Sequence, residues 1–147
     1  MRDLDGVVAE RDEACFGEVD FFVPNQVEAA LFGGVEPETV TDWGTLGRQL
    51  RNVGPRTVII TLAGEGCVVV GADGPIHAPS VSVPVVDTTA AGDAFVGGLA
   101  SALLRDMPLI EAVRFANACG AVAVSRTGAQ PSLPTRTEVE RLMVEGR

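Results

Sequence analysis

The chain has 147 residues, 46% hydrophobic and 21% charged, with a formal net charge of −9. That balance supports a packed core and excludes a disordered chain, and the length suits one domain or a part of a larger one. All 11 basic residues are Arg and His77 is the sole histidine, which removes a Walker lysine, Schiff-base chemistry and a His-rich metal site. The acidic surplus argues against a nucleic-acid partner, because phosphate neutralisation needs basic side chains. It leaves open a small anion held by main-chain N–H groups.

Cys15, Cys67 and Cys119 are odd in number and widely spaced, with no C-x-x-C pair, so neither a disulfide framework nor a zinc site is expected. Cys67 and Cys119 lie in Val-rich and Ala-rich runs and read as small buried groups. The N-terminal residues lack the apolar region of a signal peptide, and no apolar run reaches the ~18 residues of a membrane span. The expectation is a soluble, cytoplasmic protein with no membrane contact.

In chain order, residues 1–17 read as a ragged helix or tail. Val19–Val23 is a short buried strand, stopped by Pro24. Asn25 caps a helix that runs to Leu31 or Phe32 and ends at Gly33–Gly34. A second helix is expected between Pro37 and Val53, with Val40, Trp43, Leu46 and Leu50 at helical spacing. Arg56–Leu62 reads as a β-branched central strand, followed by a small-residue turn at Ala63–Gly66 and a strand at Cys67–Gly71. Asp73–Gly74 marks a turn before a Pro-broken extended stretch, Ile76–Val85. A helix starts at Gly92 or Asp93, with Phe95, Val96, Leu99 and Leu103 on one face. Pro108 opens the next, through Val124. A loop spans Gly128–Pro134, and Thr135 with Glu138 forms a capping box for a last helix ending near Met143. Strands alternating with helices predict an α/β fold with a mainly parallel sheet.

Three strand ends carry polar features. Most informative is Asp87-Thr88-Thr89-Ala90-Ala91-Gly92-Asp93, where small residues turn the chain into a helix start. Free N–H groups and the helix dipole make an anion site there. Asp93 could simply favour that dipole, or it could take a proton from an alcohol while the amides stabilise a transferring phosphoryl group. Thr61–Gly66 could hold another phosphate or be an ordinary glycine turn. Asn25 and Glu28 form an N-cap with its box partner, or a polar pair facing a metal–phosphate. Open α/β sheets bind ligands at such strand ends.

These segments resemble the ribokinase-like family of carbohydrate kinases, and Val19 to Met143 is similar to that family's C-terminal half. Residues 87–93 resemble its D-T-x-[GA]-A-G-D signature. Val23–Ala29 resembles its N-x-x-E motif, and Thr61–Gly66 its T-L-G-x-x-G motif, with Ala63 in place of the first Gly. Arg114–Pro134 is similar to the segment following the signature in ribokinases.

The resemblance implies a three-layer α/β/α fold over residues 18–147, a nucleotide-binding domain without the family's N-terminal half and β lid. It implies ATP-dependent phosphorylation of a sugar hydroxyl, ribose to ribose 5-phosphate being favoured. Asp93 would be the catalytic base, with Ala90, Ala91 and Gly92 forming the anion hole. Asn25, Thr61, Leu62, Ala63, Gly64, Glu65, Gly66 and Asn117 would line ATP, and Glu28 would act on Mg2+ through water. A K+ site would draw on Asp87, Thr89, Ala123, Arg126, Gly128 and Ser132. The alternative implied is a catalytically incomplete nucleotide-binding fragment or one half of a split enzyme. A homo-oligomer or a complementing N-terminal half is the expected partner, beside sugar and ATP.

Overall fold

A computed structural model describes residues 16–146. Cys15 and most of the expected 1–17 tail lie outside the described residues. The described chain divides into two compact units. One holds the residues up to Ala63 with Cys67–His77; the other holds Gly64–Gly66 and the chain from Ala78 onward.

The first unit is built on a four-stranded sheet of order β1 (Phe21–Phe22), β2 (Thr57–Thr61), β3 (Cys67–Gly71) and β4 (Gly74–Ala78). β1 is shorter than Val19–Val23, and Pro24 beyond its end has no N–H to offer the ladder. Pairing persists around it: Arg56 N–H donates to the Val19 carbonyl and Thr61 N–H to that of Pro24, each at 3.0 Å. The sheet is mixed rather than mainly parallel. β1 and β2 run parallel, with Phe21 opposite Thr57, whereas β2 and β3 run antiparallel, with Ile59 opposite Val69. Connection length decides this. Two helices separate β1 from β2, but only Leu62–Gly66 separates β2 from β3, which is too short for a parallel crossover.

Helix α1 (Gln26–Gly33) starts at Asn25 and ends on Gly34, as expected. The helix foreseen between Pro37 and Val53 is instead divided into a 3-10 turn, Pro37–Thr39, and α2 (Trp43–Arg51). Asp42 causes the restart: its Oδ1 accepts from Gly44 N–H at 2.8 Å and its Oδ2 from the Thr45 hydroxyl, a cap that continuous helix would forbid. Gly47 lets α2 approach the sheet; a Cβ there would lie 2.6 Å from Val70 Cγ2. Leu46, Leu50, Val58, Ile60, Val68, Val70 and Ala29 form the buried cluster beneath these helices. Phe16, Phe22 and Phe32 stack edge-to-face, with centroids 5.0–5.8 Å apart.

The second unit is helical. α3 (Ala91–Leu103) packs along α4 (Leu109–Val124), and α5 (Arg136–Glu145) packs against α4. The buried stripe of α3 is Ala94, Phe95, Gly98, Leu99 and Ala102, while Val96 is exposed, contrary to the expected face. The Ala-rich α4 selects small residues at the closest approach, which rotates the stripe away from Val96. α5 carries the expected capping box at Thr135 and Glu138 and runs two residues past Met143 to Glu145. Ion pairs of i,i+4 spacing lie along the helix, Arg136–Glu140 in its first half and Arg141–Glu145 reaching its last turn. Cys67 and Cys119 are buried, and burial pushes the Cys119 thiol up to about 11, so it behaves as an apolar group. Among the described residues no helix is long and apolar enough to cross a membrane.

A Cβ on Gly98 would lie 2.6 Å from Cys119 Sγ. Gly98→Ala is expected to lower unfolding stability by about 1–3 kcal/mol through overpacking. Adding Cys119→Ala removes the sulfur, so the double variant should lose less than the two single losses combined. Denaturant unfolding of the four proteins of that cycle measures the coupling.

Candidate functional site

The segment leading to α3 has no regular structure, so hydrogen bonds fix its path. Val86 N–H donates to the Val124 carbonyl at 2.7 Å, and Asp87 N–H reaches the same oxygen at 3.2 Å. The Asp87 carboxylate then joins two loops. Oδ1 accepts from Thr89 N–H and Oδ2 from Gly128 N–H, each at 2.9 Å. The Thr89 side chain, the Gly128 amide and the Thr89 amide together hold the Asp87 carboxyl down at about 2.

Ala90 follows in the left-handed region, φ +62°, and serves as the N-cap of α3. No side chain caps this helix. Ala91 N–H makes a long 3.3 Å bond to the Thr88 carbonyl, and the helical ladder begins with Ala94 N–H to Ala90 at 2.9 Å. The amides of Gly92 and Asp93 thus lie in the first turn, ahead of the ladder. Gly92 and Asp93 are exposed, and nothing stands within 4 Å of where a Gly92 Cβ would be. An open, uncapped helix start with a carboxylate at its third residue is what an anion site beside a base requires.

The loop after α4 supplies the other side of the Asp87 junction. Arg126 pairs with Glu138 at 2.5 Å. Ser132 is fully buried and its hydroxyl donates to the Ala129 carbonyl at 2.7 Å. Ala123 is buried in α4, and its carbonyl accepts from Arg126 N–H at 3.2 Å. Asp87, Thr89 and Gly128 are therefore brought to one junction, with Arg126 two residues before Gly128 on the same loop. The side chains of Asp87, Thr89 and Ser132 offer oxygen atoms only, a donor type that suits a hard cation rather than a transition metal. Among the described residues no group of three or more His, Cys, Asp or Glu could hold a metal ion.

Asn117 is buried, and its Nδ2 donates to the carbonyls of Ala78 at 3.0 Å and Pro79 at 3.3 Å. The same strand end meets Gly66, whose φ is +96° and where a Cβ would lie 2.2 Å from the Ala78 oxygen. Gly66, residues 78–80 and Asn117 thus form one tightly fitted group that admits only glycine at position 66.

In the first unit, Asn25 and Thr61 are paired across the carboxyl ends of parallel strands. Asn25 Oδ1 accepts from Glu28 N–H, and Glu28 Oε2 accepts from Asn25 N–H, both at 2.9 Å. This capping box leaves Glu28 exposed, and its lone carboxylate suits contact with a metal through water rather than a closed ligand cage. Leu62 is buried and Ala63 exposed. Ala63 has φ +51°, a conformation that glycine adopts freely and Ala only at a cost of roughly 1–2 kcal/mol.

The resemblance placed Asp87 and Gly128 at one site but indicated neither the direct hydrogen bond between them nor the buried clamp made by Asn117. The Asp-x-Thr spacing is an Asx-turn signal that points to the first half of the bridge. Nothing local points to Gly128, which is 41 residues away.

Comparison with known proteins gives a consistent result. The sequence model for the pfkB family carbohydrate kinase matches residues 2–136. A ribokinase from Haemophilus influenzae is 38% identical over 120 residues, 82% of this chain and 39% of that protein. The crystal structure of a ribokinase from Thermotoga maritima superposes with a TM-score of 0.82 at 34% identity, covering 92% of this chain and 46% of the other. An aminoimidazole riboside kinase from Salmonella enterica, solved with aminoimidazole riboside and an ATP analog, gives 0.78 at 34% identity, covering 89% and 44%. The chain has the ribokinase-like fold over the part it shares, and spans less than half the length of these relatives.

Asp87 is expected to contribute stability only while ionised. Its folded pKa is depressed to about 2, so that contribution is complete above the ordinary carboxylate pKa and is lost as pH falls from about 4 through 2. Asp87→Asn should lower Tm at pH 7, and the gap from the unmodified protein should close as the scans approach pH 2. A gap independent of pH would show that the charge is not what holds the loops.

Proposed function

The chain belongs to the pfkB family of carbohydrate kinases, and from that membership we propose that it serves ATP-dependent phosphoryl transfer to a sugar hydroxyl, with ribose the favoured acceptor. The observation that carries this reading is the uncapped start of α3, where Asp93 stands three residues after Ala90.

In the proposed step, the Asp93 carboxylate accepts the proton of the sugar hydroxyl as its oxygen attacks the γ-phosphorus. The bond from that phosphorus to the β–γ bridging oxygen breaks, and ADP leaves with the electron pair. The amides of Ala90, Ala91 and Gly92, with that of Asp93 in the same first turn of α3, stabilise the charge on the transferring group. A lysine-free chain is consistent with this arrangement, since amides and a helix dipole do the work of a cation. Thr61, Leu62, Ala63, Gly64, Glu65 and Gly66 are assigned to ATP. Asn117 is assigned to the nucleotide base, acting through the residue 78–80 backbone that it holds. Asn25 and Glu28 are assigned to the phosphates and, through water, to Mg2+, which would offset phosphate charge when bound. K+ is assigned to the junction of Asp87, Thr89, Ala123, Arg126, Gly128 and Ser132, where it would order the anion-hole turn.

The relatives include ribokinase, aminoimidazole riboside kinase and fructokinase, so the acceptor class is a sugar hydroxyl and ribose is the proposed choice within it. One observation favours a second reading. The chain covers only 39% and 46% of two ribokinases, which fits a nucleotide-binding portion that needs further polypeptide to hold the sugar.

A coupled ADP-release assay over a sugar panel, with and without K+, separates the two. The first reading predicts sugar-dependent ADP release, and Asp93→Asn lowering its rate by roughly 10²–10⁴-fold. An unaffected Asp93→Asn rate would remove Asp93 as the base. ADP binding by calorimetry with no turnover on any sugar would favour the second.

A further inference from the structure

Glu138 divides its two carboxylate oxygens between separate tasks. Oε2 accepts from Thr135 N–H and from the Thr135 hydroxyl, both at 2.8 Å, which caps α5. Oε1 accepts from Arg126 Nη2 at 2.5 Å. Arg126 lies two residues before Gly128, whose N–H donates to Asp87 Oδ2, and Asp87 Oδ1 takes Thr89 N–H beside Ala90. Charge-assisted hydrogen bonds and short backbone links therefore run without a break from the start of α5 to the start of α3.

We propose that Glu138 is a positioning residue for the Asp87–Gly128 junction: through Arg126 it fixes the 126–128 loop, and through that loop the turn at Ala90 that presents the α3 amides. A carboxylate already committed to a helix cap has little rotamer freedom left, so the guanidinium it holds is anchored to α5 rather than to a mobile side chain. Capping alone explains only the Oε2 contacts. The second oxygen reaches a residue 12 positions away, on the loop between α4 and α5. The relevance to phosphate binding rests on the reading of Ala90–Asp93 given above; the mechanical claim does not.

Glu138→Gln tests this, because glutamine also completes a capping box but offers no charge to Arg126. Amide hydrogen exchange followed by NMR should show Gly128 and Thr89 exchanging about two- to fivefold faster, the range expected for losing a partly exposed ion pair. The amides of α5 should keep their rates. Unchanged rates at Gly128 and Thr89, with α5 intact, would confine Glu138 to capping and overturn the proposal. Loss of protection throughout α5 calls for Arg126→Gln, which spares the cap; it must then speed Gly128 and Thr89, or the proposal fails. ADP titration of the same proteins reads the functional link separately. If the unmodified protein binds ADP, Glu138→Gln should weaken it by a similar factor. If the unmodified protein binds none, the phosphate reading fails while the exchange data still decide the role of Glu138.

Discussion

A carboxylate that accepts two main-chain N–H groups from distant parts of a chain is a stiff joint, and Asp87 is such a joint. Thr89 and Gly128 donate to its two oxygens at equal distance, and the charge that results is held far below the ordinary carboxylate range. The segment from Pro79 to Ala90 has no ladder of its own. Without Asp87, the conformation of Ala90 would have little to enforce it. A left-handed alanine is unfavourable by itself and persists only where surrounding contacts over-determine it. The uncapped start of α3 depends on that alanine, and the phosphate-binding reading depends on the uncapped start.

Cost and use are linked in the same place. Helix starts are ordinarily satisfied by a Ser, Thr, Asp or Asn side chain, and this protein does so at α1 with Asn25, at α2 with Asp42 and at α5 with Thr135. α3 and α4 both start without a side-chain cap, and α3 is the one preceded by a left-handed alanine. Giving up a cap worth about 1 kcal/mol keeps the first-turn amides available for an outside partner. The sacrifice falls where the resemblance to carbohydrate kinases is most specific.

Much of the fold could be read from residues alone, and the reasons are local. Asn25 with Glu28 and Thr135 with Glu138 are capping boxes whose geometry is contained in four residues, and both formed as expected. Cys67–Gly71 is an uninterrupted β-branched run bounded by glycines, and its bounds matched. What escaped was set by packing or by distance. The α3 face turned away from Val96 because the alanines of α4 decide what fits against them. The helix from Pro37 divided at Asp42 because one side chain competed with the ladder. The mixed sheet followed from a short connection between β2 and β3. At the candidate site, the Asp87–Thr89 turn was foreshadowed by its spacing. The Gly128 contact, the Arg126–Glu138 pair and the buried clamp at Asn117 join residues 12 to 41 apart, which no local pattern records.

The account stands on the amides at the start of α3 meeting the polyphosphate of an adenine nucleotide. Titrating ADP into uniformly nitrogen-labelled protein, with each amide resonance followed, tests that contact directly. The largest shifts should fall on Ala91, Gly92 and Asp93, with smaller ones at Gly64–Gly66. Saturable ADP binding that leaves the Ala91–Asp93 resonances in place would contradict it.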